Sequence, residues 1–310
     1  MTDQDLLDRS LDRLQATGAI EYTGEYGAEI TTFIPFAFWL KTQGLLSGRR
    51  VVTYRGMRPY YYFLDDDEFH EKSDLREWRP IEQRDWPNNS TYSATRQAWH
   101  VLPDYRARYE SQGRTFQRPV LFIQNKFTVE WGRGPINYLP LTLLKTLFSY
   151  SSDRFDVVYS RPGIVSGGPG YTSDRNMHCD YPDLALARSF ENVLILEDFC
   201  ALSGASYNLT KLEVLAKSRI FAAVQGGGAH LMACFGGSVL LLLHVQGDEY
   251  PYTYKSGAYT YLSSPAPLLL LARNYEQLAT GVDLIGSLQT TSNGVELDTG
   301  FMPVLQSLRV

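Results

Sequence analysis

The rhythm of hydrophobic and polar positions changes partway along the chain. From Pro119 onward, short apolar runs alternate with stretches of helical period, the pattern of strand–helix–strand units that build a parallel sheet. Val120 to Asn125 (VLFIQN), Phe155 to Ser160 (FDVVYS), Asn192 to Asp198 (NVLILED), Arg219 to Gln225 (RIFAAVQ) and Ser238 to Val245 (SVLLLLHV) are continuous rather than alternating runs. They predict strands covered on both faces. Between them, Ile136 to Ser149 predicts an amphipathic helix and Asn208 to Ser218 a helix opened by an Asn cap. Ala229 to Phe235 predicts a short helix entered from three glycines, and Pro265 to Ala272 another buried strand.

Before Gly113 the texture is richer in charge, Tyr and Trp. Ile30 to Leu45 predicts an apolar helix closed by Gly44, and Arg50 to Tyr54 a strand after a turn at Ser47-Gly48. Asp65 to Asn89 alternates acids and bases around Trp and Pro, which predicts mostly loop. There is no internal repeat or low-complexity linker. The division expected is an acceptor-side unit over residues 1–113, a ligand-binding unit over 114–278, and a closing segment, 279–310, that packs back on the first unit. The fold class is α/β.

Composition narrows the function without changing that picture. The 310 residues are 44% hydrophobic and 20% charged, which is globular composition and excludes collagen-like, coiled-coil and disordered chains. The length suits two domains at roughly 150 residues each. Lys plus Arg number 29 against 34 Asp plus Glu, a net charge of −5 that opposes a nucleic-acid partner. Three widely spaced cysteines without a C-x-x-C pair give no zinc ribbon and no disulfide framework. The amphipathic, charged N-terminus has no signal-peptide centre, so a cytoplasmic chain is expected. The longest apolar runs fall far short of the ~20 residues that cross a bilayer, which leaves only peripheral membrane contact open. Neither H-E-x-x-H nor G-x-S-x-G is present. Asp65-Asp66-Asp67 runs at once into Glu68 and reads as an acidic turn rather than a metal site, so neither metal nor cofactor is called for.

The sharpest local signal is Val224-Gln225-Gly226-Gly227-Gly228-Ala229-His230, a strand running through glycines into a helix. Glycines there let backbone amides and a helix start approach a diphosphate; the alternative is a tight packing turn. The first strand of this half ends at Gln124-Asn125-Lys126 and the second at Ser160-Arg161. Two cations therefore fall at the carboxyl rim of a parallel sheet, where ligands bind; each alone reads as a solvated surface charge, and it is their convergence with the glycine-rich helix start that sets an anion site against that plainer reading. Asp198 and Glu249 are acids at the same edge, suited to sugar hydroxyls, with a helix cap as the plainer role for Asp198. His230 is a candidate phosphate donor or a buried satisfied histidine. In the first half, Glu25 and Glu29 sit beside glycines just before the apolar helix. There a general base for an acceptor would stand, or an acidic first turn would complement the helix dipole.

The order of these parts resembles the donor-binding half of a GT-B glycosyltransferase, most specifically over Ala223 to Tyr250 (AVQGGGAHLMACFGGSVLLLLHVQGDEY) and in outline over Pro119 to Leu278. The chain departs from that pattern in having Gln225 where a His often precedes the glycines, and in lacking the paired Glu motif of many retaining members. The resemblance implies two Rossmann-like domains facing across a cleft. It also implies metal-independent transfer of a sugar from a nucleoside-diphosphate sugar to a hydroxyl of a saccharide or related acceptor, as in polysaccharide biosynthesis. Lys126, Arg161, Asn125, Gln225, Gly226, Gly227, Gly228, His230 and Glu249 would serve the donor, and Glu25 or Glu29 the acceptor. A nucleotide-sugar epimerase of the same fold and a non-catalytic nucleotide-binding protein are the alternatives.

Overall fold

The computed structural model describes residues 3–74, 76, 86–87, 97–129, 134–150, 154–162, 177–246, 257–291 and 294–296. The first unit opens with helix α1 (Asp3–Thr17) and strand β1 (Ala19–Glu21). One unbroken helical stretch follows, made of α2 (Tyr26–Ala28), a π-type turn (Glu29–Phe33) and α3 (Ile34–Thr42). Ile30, Phe33, Ile34, Phe36, Ala37 and Leu40 are all buried along it. It ends at Gly44, whose φ of +70° gives the left-handed exit that favours glycine. Strands β2 (Arg50–Tyr54) and β3 (Phe69–Lys72) complete a parallel sheet in the order β1-β2-β3. The sequence predicted loop at β3, because Phe-His-Glu-Lys carries no apolar run. Partnership makes the strand instead: Phe69 pairs with Val51, and Lys72 reaches Glu21 at 2.6 Å while lying over the Tyr54 ring. In the acidic turn, Asp65 and Glu68 form a capping box and both hold Lys41 at 2.7 Å.

Helix α4 (Tyr105–Tyr109) leads to β4 (Val120–Gln124), β5 (Thr128–Val129), α5 (Leu141–Ser149), β6 (Asp156–Ser160), β7 (Met177–His178) and α6 (Asp183–Arg188). Next come β8 (Val193–Ile195), α7 (Leu196–Ser203), α8 (Tyr207–Lys217), β9 (Ser218–Val224), α9 (Gly227–Ala233) and β10 (Val239–Leu243). The order closes with β11 (Leu268–Ala272), α10 (Tyr275–Ser287), β12 (Gln289–Thr291) and β13 (Gly294–Glu296). Six of these strands form one fully parallel sheet in the order β8-β6-β4-β9-β10-β11. Counted along the chain within this unit, that order reads 3-2-1-4-5-6 and reverses between β4 and β9, as in doubly wound nucleotide-binding sheets. The α/β class with two parallel units is thus the class read from the sequence.

Several boundaries move, each for a local reason. Helix α5 starts at Leu141 rather than Ile136, because the residue before Pro140 is kept out of helix. Asn137 is engaged elsewhere, its Oδ1 accepting from the Val245 amide and its Nδ2 donating to the Gln246 carbonyl. Strand β8 stops at Ile195, so Asp198 lies in the first turn of α7 and pairs with Arg188 at 2.8 Å. The cap of α8 is Ser206, not Asn208. Asn208 spans the two units, donating to the Gly56 carbonyl at 2.8 Å and accepting from the Tyr60 hydroxyl at 3.3 Å.

The strand faces alternate between two layers. Leu121 and Ile123 face a layer formed with α5 and α10, whereas Val120 and Phe122 belong to a core that includes Phe33, Leu40 and Tyr60 of the first unit. The separate sheets therefore share one core. Helix α4 packs along α8, and Arg106 on it donates to the carbonyls of Ala216, Ser218 and Phe235. Helix α10 lies on β10, β11 and α5, with Leu278, Val282, Leu284 and Ile285 buried there. The described start of the segment expected to return to the first unit thus stays with the second; residues 297–310 lie outside the described residues.

Candidate functional site

The sheet order reverses between the carboxyl ends of β4 and β9, the position at which open parallel sheets bind ligands. Gln124, Asn125 and Lys126 emerge on one side of that point and Gln225 and Gly226 on the other. The three glycines answer three different demands. Gly226 has φ +128° and ψ −173°, a region essentially closed to other residues, and a Cβ there would stand 3.5 Å from Lys126 Nζ. A Cβ on Gly227 would stand 2.6 Å from the Tyr26 ring and 3.0 Å from the Gly27 amide nitrogen, so this glycine lets the first unit close on α9. A Cβ on Gly228 would fall 1.7 Å from Gln124 Nε2, so its absence makes room for that amide.

On the face of the sheet turned toward the first unit, the period of two brings Gln124 and Ser160 side by side. Glu197 on α7 and Tyr207 on α8 lie against Ser160, and Lys211 on α8 stands near Tyr207 and within the influence of the Glu197 charge. Glu197 Oε1 accepts from the Ser160 hydroxyl at 2.8 Å, the Arg161 amide at 2.9 Å and the Tyr207 hydroxyl at 3.2 Å. Its Oε2 is buried and has no hydrogen-bond partner. Lys211 is 3% exposed, with its Nζ 6.0 Å from the centre of the Tyr26 ring and 5.9 Å from that of Tyr207. Burial lowers the Lys211 pKa to about 8 against an opposing pull from Glu197, and burial raises that of Glu197 against its hydrogen bonds. Ser160 links Glu197 to the strand position beside Gln124, and the Glu197 charge acts on Lys211.

Some residues proposed from the sequence stand at this point and others do not. Lys126 and Gln225 are half-buried at the crevice. His230 faces Gly27 across the seam, and its Nδ1 lies 2.8 Å from the Tyr259 hydroxyl. Glu25 is half-buried at the start of α2. Asn125 is fully buried and used as a brace, its Oδ1 accepting from the amides of Leu139 and Lys126 and its Nδ2 donating to Asp183. Arg161 is not a rim cation. It is 1% exposed, gripped by both carboxylate oxygens of Asp183 at 2.6 Å, and donates onward to the Cys179 carbonyl at 3.0 Å. Nor does Glu29 face a crevice: it is wholly buried, paired with Arg76 at 2.6 Å, and accepts from the Tyr61 hydroxyl at 2.7 Å and from the Thr53 hydroxyl. Both ionic side chains are consumed by partners that the linear sequence does not reveal. Glu249 lies outside the described residues.

Glu197 and Lys211 were not singled out from the sequence. Glu197 fell at the end of the run read as a strand, Asn192 to Asp198, and Lys211 looks like an ordinary charge on a helix; the structure starts a helix at Leu196 and buries both side chains. Among the described residues no three His, Cys, Asp or Glu side chains are grouped to hold a metal ion, and no helix is long and apolar enough to cross a membrane.

No family model matches the chain, and no curated protein matches it. A solved structure from Listeria monocytogenes, described as a UDP-N-acetylglucosamine 2-epimerase, is similar with a TM-score of 0.32 and 14% identity, over 92% of this chain and 70% of that one. A likeness of that size carries no argument about the reaction.

Proposed function

We propose that the chain is a metal-independent glycosyltransferase whose nucleoside-diphosphate sugar sits at the reversal point between β4 and β9. The observation that carries this reading is the 3-2-1-4-5-6 strand order with Lys126 and Gly226 facing each other across the reversal. Lys126 is a compact cation for the diphosphate, and Gly226 keeps the backbone open beside it. The acceptor hydroxyl attacks the anomeric carbon as the bond to the diphosphate oxygen breaks. Lys126 and the first amides of α9 balance the charge that develops on the leaving group. Glu25 takes the acceptor proton, since Glu29 is enclosed in the core. His230, oriented by Tyr259, lines the same seam. The ligand-binding unit runs from residue 114, with the acceptor side formed by residues 1–113.

Calorimetric titration with UDP, GDP, ADP and dTDP tests the site. Lys126→Ala should weaken the best of them about 10- to 100-fold, the range for a hydrogen bond to a charged group. Unchanged affinity would remove Lys126 from the site. Release of diphosphate should then require a saccharide acceptor. Conversion of the nucleotide sugar with no acceptor present would make the reaction an epimerisation, and binding without turnover would make the chain a nucleotide-binding protein.

A further inference from the structure

The enclosed group beside the reversal point holds unused hydrogen-bonding capacity of a specific kind. Glu197 Oε2 is a buried acceptor without a partner, and Gln124 Oε1 is a second. Lys211 is 3% exposed, with the rings of Tyr26 and Tyr207 about its Nζ and the Glu197 charge acting on it. Buried polar groups are normally satisfied, and an unpaired one costs free energy. Here a cation and an anion stand within one another's influence, while Ser160 and Tyr207 already hold the other Glu197 oxygen. The charges balance, so an anionic or cationic ligand group would leave an uncompensated buried charge. A hydroxyl fits: its lone pair accepts from Lys211 and its proton goes to Glu197 Oε2 or Gln124 Oε1. A phosphate belongs instead on the Lys126 side of Gly226.

Resting on the nucleotide-sugar reading above, we propose that Glu197 and Lys211, with Gln124, form the subsite that grips a hydroxyl of the glycosyl group carried by the nucleotide. The pair then sets which sugar the protein accepts, while Lys126 holds what all such ligands share. The raised Glu197 and lowered Lys211 pKa values fit a pair poised around a neutral group.

Calorimetry on the whole chain with four matched pairs, UDP and UDP-glucose, GDP and GDP-mannose, ADP and ADP-glucose, dTDP and dTDP-glucose, tests this. For the best pair the sugar should add affinity, and Lys211→Met and Glu197→Gln should each reduce that gain at least tenfold while moving the bare diphosphate less than twofold. Lys126→Ala should weaken both members together. Replacing a buried charge by a group of its own shape preserves packing, and the double variant Lys211→Met/Glu197→Gln leaves no lone buried charge, so folding, checked by melting, is kept. An equal loss with the bare diphosphate, or a sugar gain untouched by all three variants, would overturn the subsite. If the unaltered protein binds none of the eight ligands, the nucleotide reading itself fails and the subsite with it; diphosphate binding with no sugar gain overturns the subsite alone.

Discussion

Arg161 and Glu29 show how far a residue's neighbours decide its work. A cation at the end of a parallel strand is placed by the backbone at a ligand rim, yet the side chain turns inward when a buried carboxylate is within reach. Arg161 has Asp183, which also accepts from the Tyr159 hydroxyl and is braced by Asn125. Burial, then the Asp183 charge, pushes the Tyr159 pKa well above its ordinary value, so that hydroxyl stays a donor. Removing one member of a buried ion pair leaves the other uncompensated, at a cost of about 3–5 kcal/mol. Arg161→Met should therefore lower the unfolding free energy by that amount in urea titrations while leaving diphosphate affinity of the folded protein within about twofold. A large loss of affinity with little loss of stability would return Arg161 to the ligand rim.

At the scale of elements, legibility followed burial. β4, β9 and β10 were readable because strands covered on both faces are built on continuous apolar runs, and every residue of β4 and β10 is buried. β3 was not, since a four-residue strand held by register and one ion pair leaves no periodic mark. The α8 segment was readable as a helix but not for what it carries, because Lys211 is buried by tertiary packing, with the Tyr26 ring of the first unit and the Tyr207 ring both near its Nζ. The glycine turn lies between these cases. Its glycines were visible and a phosphate role was read into all three, but contacts across the chain explain Gly227 and Gly228. Gly228→Ala forces the Gln124 amide out of a buried position, an overpacking cost of about 1–3 kcal/mol. In a Gln124→Ala background the same substitution should cost at least about 1 kcal/mol less, a coupling that a double-mutant cycle of unfolding free energies reads directly. Additive effects would show that Gly228 is required by its backbone rather than by Gln124.

At the scale of the molecule, the two sheets are separate while the core between them is shared, and this bears on how the crevice is held. Phe33, Leu40 and Tyr60 of the first unit are buried in one cluster with Phe122, Phe221 and Leu240 of the second. The Arg106 guanidinium crosses to the carbonyls of Ala216, Ser218 and Phe235, closing the ends of α8 and α9 against α4. Domains joined by a small polar interface unfold separately, but a common apolar core makes each unit the solvent shield of the other. Heating should therefore give one calorimetric transition whose van't Hoff and calorimetric enthalpies agree. Arg106→Ala strands three carbonyls, and at roughly 1–3 kcal/mol for each unsatisfied buried group it should cost more than about 3 kcal/mol. That loss should lower the whole transition rather than split it. Two transitions in the unaltered protein, or an Arg106→Ala variant in which the six-stranded unit melts at its original temperature, would show that the halves are independent bodies, free to open about the Lys126 crevice.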